Sequence, residues 1–308
     1  MPYPYVMRHY MKKILIAILL ILSVFAVSGQ DTLSDQARVR RNVKIVLGIE
    51  GAFYVTSMTG LYFAWYADHP QKPFHFYNDN GEWEQMDKVG HFTTNYIMGS
   101  FGYELLRDAG LDEKRSIWYG GTLGFIYMTS VEVFDGLCDG WGFSWGDMAA
   151  NALGTGLFVG QQLLWHEQRI VIKYSFHTTE FPQYNPDLLG STFLRQALKD
   201  YNGQTYWASF NIKSLLLNKE SRFPAWLNFA VGYGATGMTG GFENLPEPTP
   251  QFNRERQLYF SLDVDLTKIP TKNKFWKYTL KVLNIFKIPF PALEYNTGGN
   301  WVWHWLYF

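Results

Sequence analysis

Along the first half of the chain, apolar residues recur with helical spacing. Val43, Val46, Leu47, Phe53 and the run from Leu61 to Tyr66 predict a long helix over residues 37–68. The loop after it carries Pro70, Pro73 and Asn78-Asp79-Asn80-Gly81, which are turn formers. A second helix is expected over 86–107, stopping near Gly110, and a third over 113–137, ahead of the glycine-rich stretch Asp139 to Phe143. Ser144, with Asp147 three residues on, is placed to cap a fourth helix running to about Gln168. After residue 169 the period becomes two. Ile170, Ile172, Tyr174 and Phe176 alternate with more polar positions, and so do Leu227, Phe229, Val231 and Tyr233. Similar runs at 206–212, 258–265 and 301–307 predict half-buried antiparallel strands. Short helices are expected over 188–199 and over 274–286, the latter ended by Pro289 and Pro291. The fold class is therefore α+β: an N-terminal four-helix bundle, then a mainly antiparallel β unit with one or two helices. Five or six strands fall short of the roughly eight of the smallest bacterial barrels, so a sheet packed on the helices is expected.

The N-terminus changes the setting. Lys12 and Lys13, an apolar run over 14–27 and the small-residue site Val27-Ser28-Gly29 make residues 1–29 a secretory signal peptide. Residues 30–168 then form the helical domain and 169–308 the β-rich region. An exported chain in the periplasm or at the outer membrane follows. Cys138 is the one cysteine, which rules out an intramolecular disulfide and leaves no lipid-accepting cysteine after the signal. Removing Arg8, Lys12 and Lys13 from 27 basic residues leaves 24 against 27 acids, a net of −3, so nucleic acid is not an expected partner. Aromatic residues make up 18% of the chain, with 12 Trp and 20 Tyr, a composition that suits membrane interfaces. Gly120-Gly121, Gly124, Gly154, Gly156 and Gly160 would let helices approach closely, as membrane bundles require. Membrane lipid is the expected partner; an aromatic-rich core or glycan-binding surface would give the same composition.

The chemistry lies in ionisable residues set among apolar ones, where a charge is costly unless paired, hydrogen-bonded or metal-bound. Residues three or four apart share a helix face, which aligns Asp87, His91 and Asn95 on the second helix. It also aligns Glu132, Asp135 and Asp139 at the end of the third, and Asp147 with Asn151 at the start of the fourth. Short connections bring these stripes to one end of the bundle, with Lys88 and Ser144 beside them. Three readings compete. The cluster organises the bundle, Lys88 and the helix N-termini neutralising its acids. Alternatively Asp87, His91, Glu132, Asp135 and Asp139 hold a divalent metal ion of the oxygen-preferring kind. Or His91, Asp87, Glu132, Asp135 and Asp147 are catalytic acids and bases. Binding of a lipid headgroup without chemistry is a further use of the same residues.

Asp87-Lys88-Val89-Gly90-His91-Phe92, Gly102-Tyr103-Glu104, the E-x-x-DG at Glu132 to Gly136 and GFSWGDMAAN at Gly142 to Asn151 resemble the YfiM-like domain of unknown function found in bacterial envelope proteins. The order of acidic, His and Asn positions is more distantly similar to VanZ-like membrane proteins. The resemblance covers residues 84–165. The C-terminal WLNFAVGYGATGM, YFSLDVDL and KIPFPALEY look like the extension of Bacteroidetes YfiM-like members. The resemblance implies an envelope role and no particular reaction. A metal-dependent hydrolase or transferase acting on envelope lipid or cell-wall material is the enzymatic alternative.

Overall fold

The computed structural model describes residues 35–67, 69–217 and 220–308; the signal segment lies outside the described residues. Helix α1 (Asp35–Leu61) runs on into a π turn (Tyr62–Tyr66). It buries only Val46 and Met58 before that turn, so it flanks the other helices instead of joining their core. The loop after it is pinned across the molecule by bridges from Gln71 to Cys138 and from Phe76 to Phe143. Helix α2 (Met86–Asp108) is the central element of the helical half.

The helix expected over 113–137 is two helices, α3 (Glu113–Tyr119) and α4 (Leu123–Gly136). Gly120 sits between them, where a Cβ would lie 2.3 Å from the carbonyl carbon of Gly102 in α2. Glycine is a poor helix former, and here it permits backbone-to-backbone contact that any side chain would block. Helix α5 (Trp145–Trp165) begins as anticipated, with Ser144 Oγ accepting from the Asp147 amide at 3.1 Å. It meets α2 at Gly154, whose Cβ would fall 2.1 Å from the Phe92 carbonyl oxygen. The helical half is thus α2, α4 and α5 closely packed, α3 as a short link, and α1 alongside.

The second half is one antiparallel sheet in simple sequence order, β1 to β6. The strands are β1 (Ile170–Phe176), β2 (Gln204–Asn211), β3 (Leu227–Thr236), β4 (Glu255–Val264), β5 (Phe290–Asn296) and β6 (Trp301–Tyr307). Between them lie α6 (Pro186–Leu189), α7 (Phe193–Lys199), α8 (Ile212–Leu216) and α9 (Lys274–Leu283). The helix expected over 188–199 is split at Gly190, whose φ of 92° no right-handed helix accommodates. Tyr96, Ile117, Phe158, Val159 and Ile172 form a single apolar cluster, so α2, α3, α5 and β1 share one core.

Candidate functional site

The first turn of α2, the end of α4 and the start of α5 converge. Lys88 lies at their centre, 2.7 Å from Asp79 Oδ1, 2.9 Å from Asp147 Oδ2 and 3.4 Å from Asp87 Oδ2. Ser144 joins α4 to α5: its amide donates to Glu132 Oε2 at 3.0 Å, and its hydroxyl donates to Asp79 Oδ1 at 2.6 Å. Tyr201, from the turn before β2, donates to Asp87 Oδ1 at 2.6 Å. Three residues preceding α2, Trp83, Glu84 and Gln85, hold left-handed φ values of 49°, 51° and 64°. Such backbone persists only where surroundings enforce it. Arg254 and Arg256 grip the Glu84 carboxylate, and the Tyr233 hydroxyl donates to the Glu84 carbonyl. This clamp fixes the angle at which Asp87, Lys88 and His91 enter the cluster.

His91 is buried, with its two nitrogens in different settings. Nδ1 is 3.2 Å from Asn151 Oδ1 and 3.4 Å from Glu132 Oε1. Nε2 faces Asp87 Oδ1 at 3.8 Å and Asp147 Oδ1 at 4.0 Å, beyond hydrogen-bond reach of both. Asn95 braces the ring's neighbours, donating to the His91 carbonyl at 2.8 Å and to Asn151 Oδ1 at 2.5 Å. Asp147 Oδ1, Glu132 Oε1 and Asn151 Nδ2 are buried without a hydrogen-bond partner. Orphaned polar atoms of this kind are uncommon in folded proteins and call for an explanation.

The electrostatics follow from that crowding. Burial, with Asp135 and Asp147 adding to it against His91, pushes the Glu132 carboxyl up to about 8. Burial and the nearby Asp87 carboxylate push Asp147 up to about 9. Burial raises Asp135 to about 7. Asp87 goes the other way: burial opposes its charge, but His91, Lys88 and the Tyr201 hydroxyl outweigh burial and hold it below the usual carboxylate value. Lys88 stays charged, since Asp87 and Asp147 overcome its burial.

One ligand atom each from Asp87, His91 and Asp147 lie within 4.8 Å of one another, a grouping that suits a metal ion. The donors are two carboxylates and an imidazole, a set compatible with Mg²⁺, Mn²⁺ or Zn²⁺. Glu132 and Asn151 occupy the position of outer partners that orient a ligating imidazole through its other nitrogen. Asp135 stands one step away, accepting from the Tyr66 hydroxyl at 2.7 Å. Asp139 lies apart from the cluster, half-exposed and paired with Lys72; α4 ends at Gly136, so helical spacing does not carry to Asp139. Two members escaped the sequence reading. Asp79 was legible only as a turn residue within Asn78-Asp79-Asn80-Gly81, and Tyr201 comes from a distant turn with no local signal at all.

Residues 75–161 match a family model described as a predicted periplasmic lipoprotein (DUF2279). The match spans the loop carrying Asp79, helices α2 to α4 and most of α5, hence every cluster residue except Tyr201. No curated protein and no solved structure matches the chain. The apolar N-terminal run is compatible with a signal sequence and agrees with the periplasmic description of that family.

Proposed function

We propose that this is an outer-membrane-associated envelope protein whose Asp87–His91–Asp147 cluster binds a divalent cation. One observation carries the reading. Asp147 Oδ1 is buried without a partner and converges with His91 Nε2 and Asp87 Oδ1. Five carboxylates, Asp79, Asp87, Glu132, Asp135 and Asp147, surround one lysine and one histidine. Either protons or a metal must offset the excess negative charge, and the open side of His91 Nε2 favours the metal. Lys88 meanwhile ties Asp79, Asp87 and Asp147 together, so the same residues organise the ends of α2 and α5. The resemblance to YfiM-like proteins supports an envelope role.

A second reading, a metal-dependent hydrolase or transferase acting on envelope lipid or cell-wall material, has its own support. Asp87 is the most exposed of the three ligand candidates, leaving one side open to an incoming group. When bound, the cation would polarise a phosphoryl or acyl oxygen or acidify water. Glu132, its carboxyl held up to about 8 and close to His91, is placed to exchange a proton. Metal analysis of the purified full chain tests the primary reading. Near-stoichiometric Mn, Zn or Mg is expected, removed by chelator and absent from Asp147→Asn. A metal-free protein that takes up none of these ions on incubation would refute it.

A further inference from the structure

The sheet buries charge on one face and exposes apolar side chains on the other. Residues opposite one another in an antiparallel ladder share a face. One face of this sheet carries Lys173, Ser209, Asn228 and Asp263, each wholly buried, and the nearly buried Glu294, set around a small aromatic cluster of Trp207, Ala230 and Tyr259. The first four are satisfied among themselves. Lys173 Nζ is 2.8 Å from Asp263 Oδ2, Ser209 Oγ donates to the same oxygen at 2.7 Å, and Asn228 Nδ2 donates to Ser209 Oγ at 2.9 Å. The other face is apolar. Its β1–β2 end is covered by α2 and α5 through Ile172. Across β3 to β6, beyond Tyr233, which packs near Met86, it is largely open: Phe229 pairs with Leu262, Leu258 with Tyr295, and Tyr295 with Trp301, all exposed. Trp303 and Trp305 extend the patch, the latter 81% exposed.

Helix α9 repeats the inversion independently. Lys277, Tyr278 and Lys281 turn inward onto Glu104 and Asp108 of α2. Phe275, Trp276, Val282 and Leu283 face outward. A helix docking in water does the reverse. Helix α1 adds a third element. Arg38, Arg40, Arg41 and Lys44 are exposed at its start, and beyond them Leu47, Phe53, Val55 and Phe63 are exposed. Among the described residues it is the one helix long and apolar enough to cross a membrane.

We infer that the β3–β6 face and the outer face of α9 lie against the acyl chains of a phospholipid bilayer. The inference deepens the outer-membrane association proposed above. A polar interior behind an apolar exterior is the arrangement of proteins solvated by lipid. The sheet and α9 share it independently, and α1 adds a long, exposed apolar surface. The basic start of α1 complements anionic headgroups, and the Trp and Tyr of β5 and β6 suit the interface.

The test is flotation of the full chain with phosphatidylethanolamine–phosphatidylglycerol (3:1) vesicles, paired with tryptophan quenching by lipids brominated on the acyl chain. The protein is expected to float and to be quenched. The triple variant Trp301→Gln/Trp303→Gln/Trp305→Gln should keep its far-UV circular dichroism, lose a large share of the quenching and partition at least tenfold more weakly. Should it misfold, Phe229→Trp provides the check, gaining quenchable emission if the face is in lipid and none if the inference is wrong. Flotation with quenching and partition unchanged in the triple variant would overturn the sheet-face assignment and leave membrane association standing through α1. Absence of flotation, with a concentration-dependent dimer in detergent-free buffer, would put a second copy on the face and overturn both.

Discussion

Two of the buried charge networks among the described residues, one in the sheet and one in the helical half, are built on opposite plans. In the sheet, one lysine pairs directly with one carboxylate, and a second buried lysine, Lys287, lies near enough to be favoured by that carboxylate and opposed by the first lysine. Lys173 donates to Val264 O at 2.7 Å and pairs with Asp263, whose other oxygen accepts from the Ile288 amide at 3.1 Å. The direct pair is charge-balanced, both its groups are hydrogen-bonded, and no acid is in excess. In the helical half, Lys88 faces Asp79, Asp87 and Asp147, while His91 sits between further carboxylates and two carboxylate oxygens find no partner. A balanced, satisfied network is complete as a scaffold. An unbalanced one is completed by something that arrives, whether protons or a cation.

That contrast predicts different responses to removing the lysine. Lys173→Met removes the direct ion-pair partner of a fully buried carboxylate, leaving only the more distant Lys287, and should cost about 3–5 kcal/mol in chemical denaturation. Lys88→Met should cost less, about 1–3 kcal/mol, because Glu132 and Asp147 already hold their protons tightly and the cluster can take up more. The Lys88→Met cost should also shrink as pH falls. Equal costs at all pH values would erase the distinction between the two networks.

The pH dependence sharpens the comparison further. Glu132, Asp135 and Asp147 titrate at about 8, 7 and 9 in the folded chain, well above their unfolded values. The folded state therefore binds more protons, and stability in chelator is fully present below about pH 4 for these groups. It is then lost as pH rises through 7 to 9. A bound cation replaces those protons, so saturating Mn²⁺ should flatten the fall above pH 7. Denaturation midpoints across pH 5–9, with chelator and with metal, measure both slopes. The smallest expected effect is that of Ser144→Ala, about 1 kcal/mol for a lost helix cap, plus a weakened hold on Asp79.

Much of this was legible in the sequence, and the exceptions are physical. Helical period placed α2 and α5 closely, and the Ser144 cap with Asp147 emerged where the pattern put it. Period two located five strands, but β5 was hidden because Pro291 reads as a breaker while in fact lying within the strand. Gly120-Gly121 does pack closely on α2 as the spacing suggests, and it also ends α3, which the spacing does not show. For the site, i,i+4 spacing gathered Asp87, His91, Asn95, Asp147 and Asn151 correctly onto converging faces. Asp139 lay one turn past the helix end. Asp79 and Tyr201 arrive by tertiary folding, which local spacing cannot report. Polarity inversion of the sheet was invisible as well: alternation shows that two faces differ, and only the packing shows which one faces inward.

The central claim is that Asp87, His91 and Asp147 bind a divalent cation in the folded protein. Thermal unfolding of chelated full-length chain at pH 8, titrated with Mn²⁺ or Zn²⁺, tests it most directly. A ligand at about one hundred times its dissociation constant adds roughly 2.7 kcal/mol, enough to move the midpoint by several degrees. The account predicts that rise in the native sequence and its loss in Asp147→Asn. No rise in the native sequence, or an equal rise in Asp147→Asn, would contradict it.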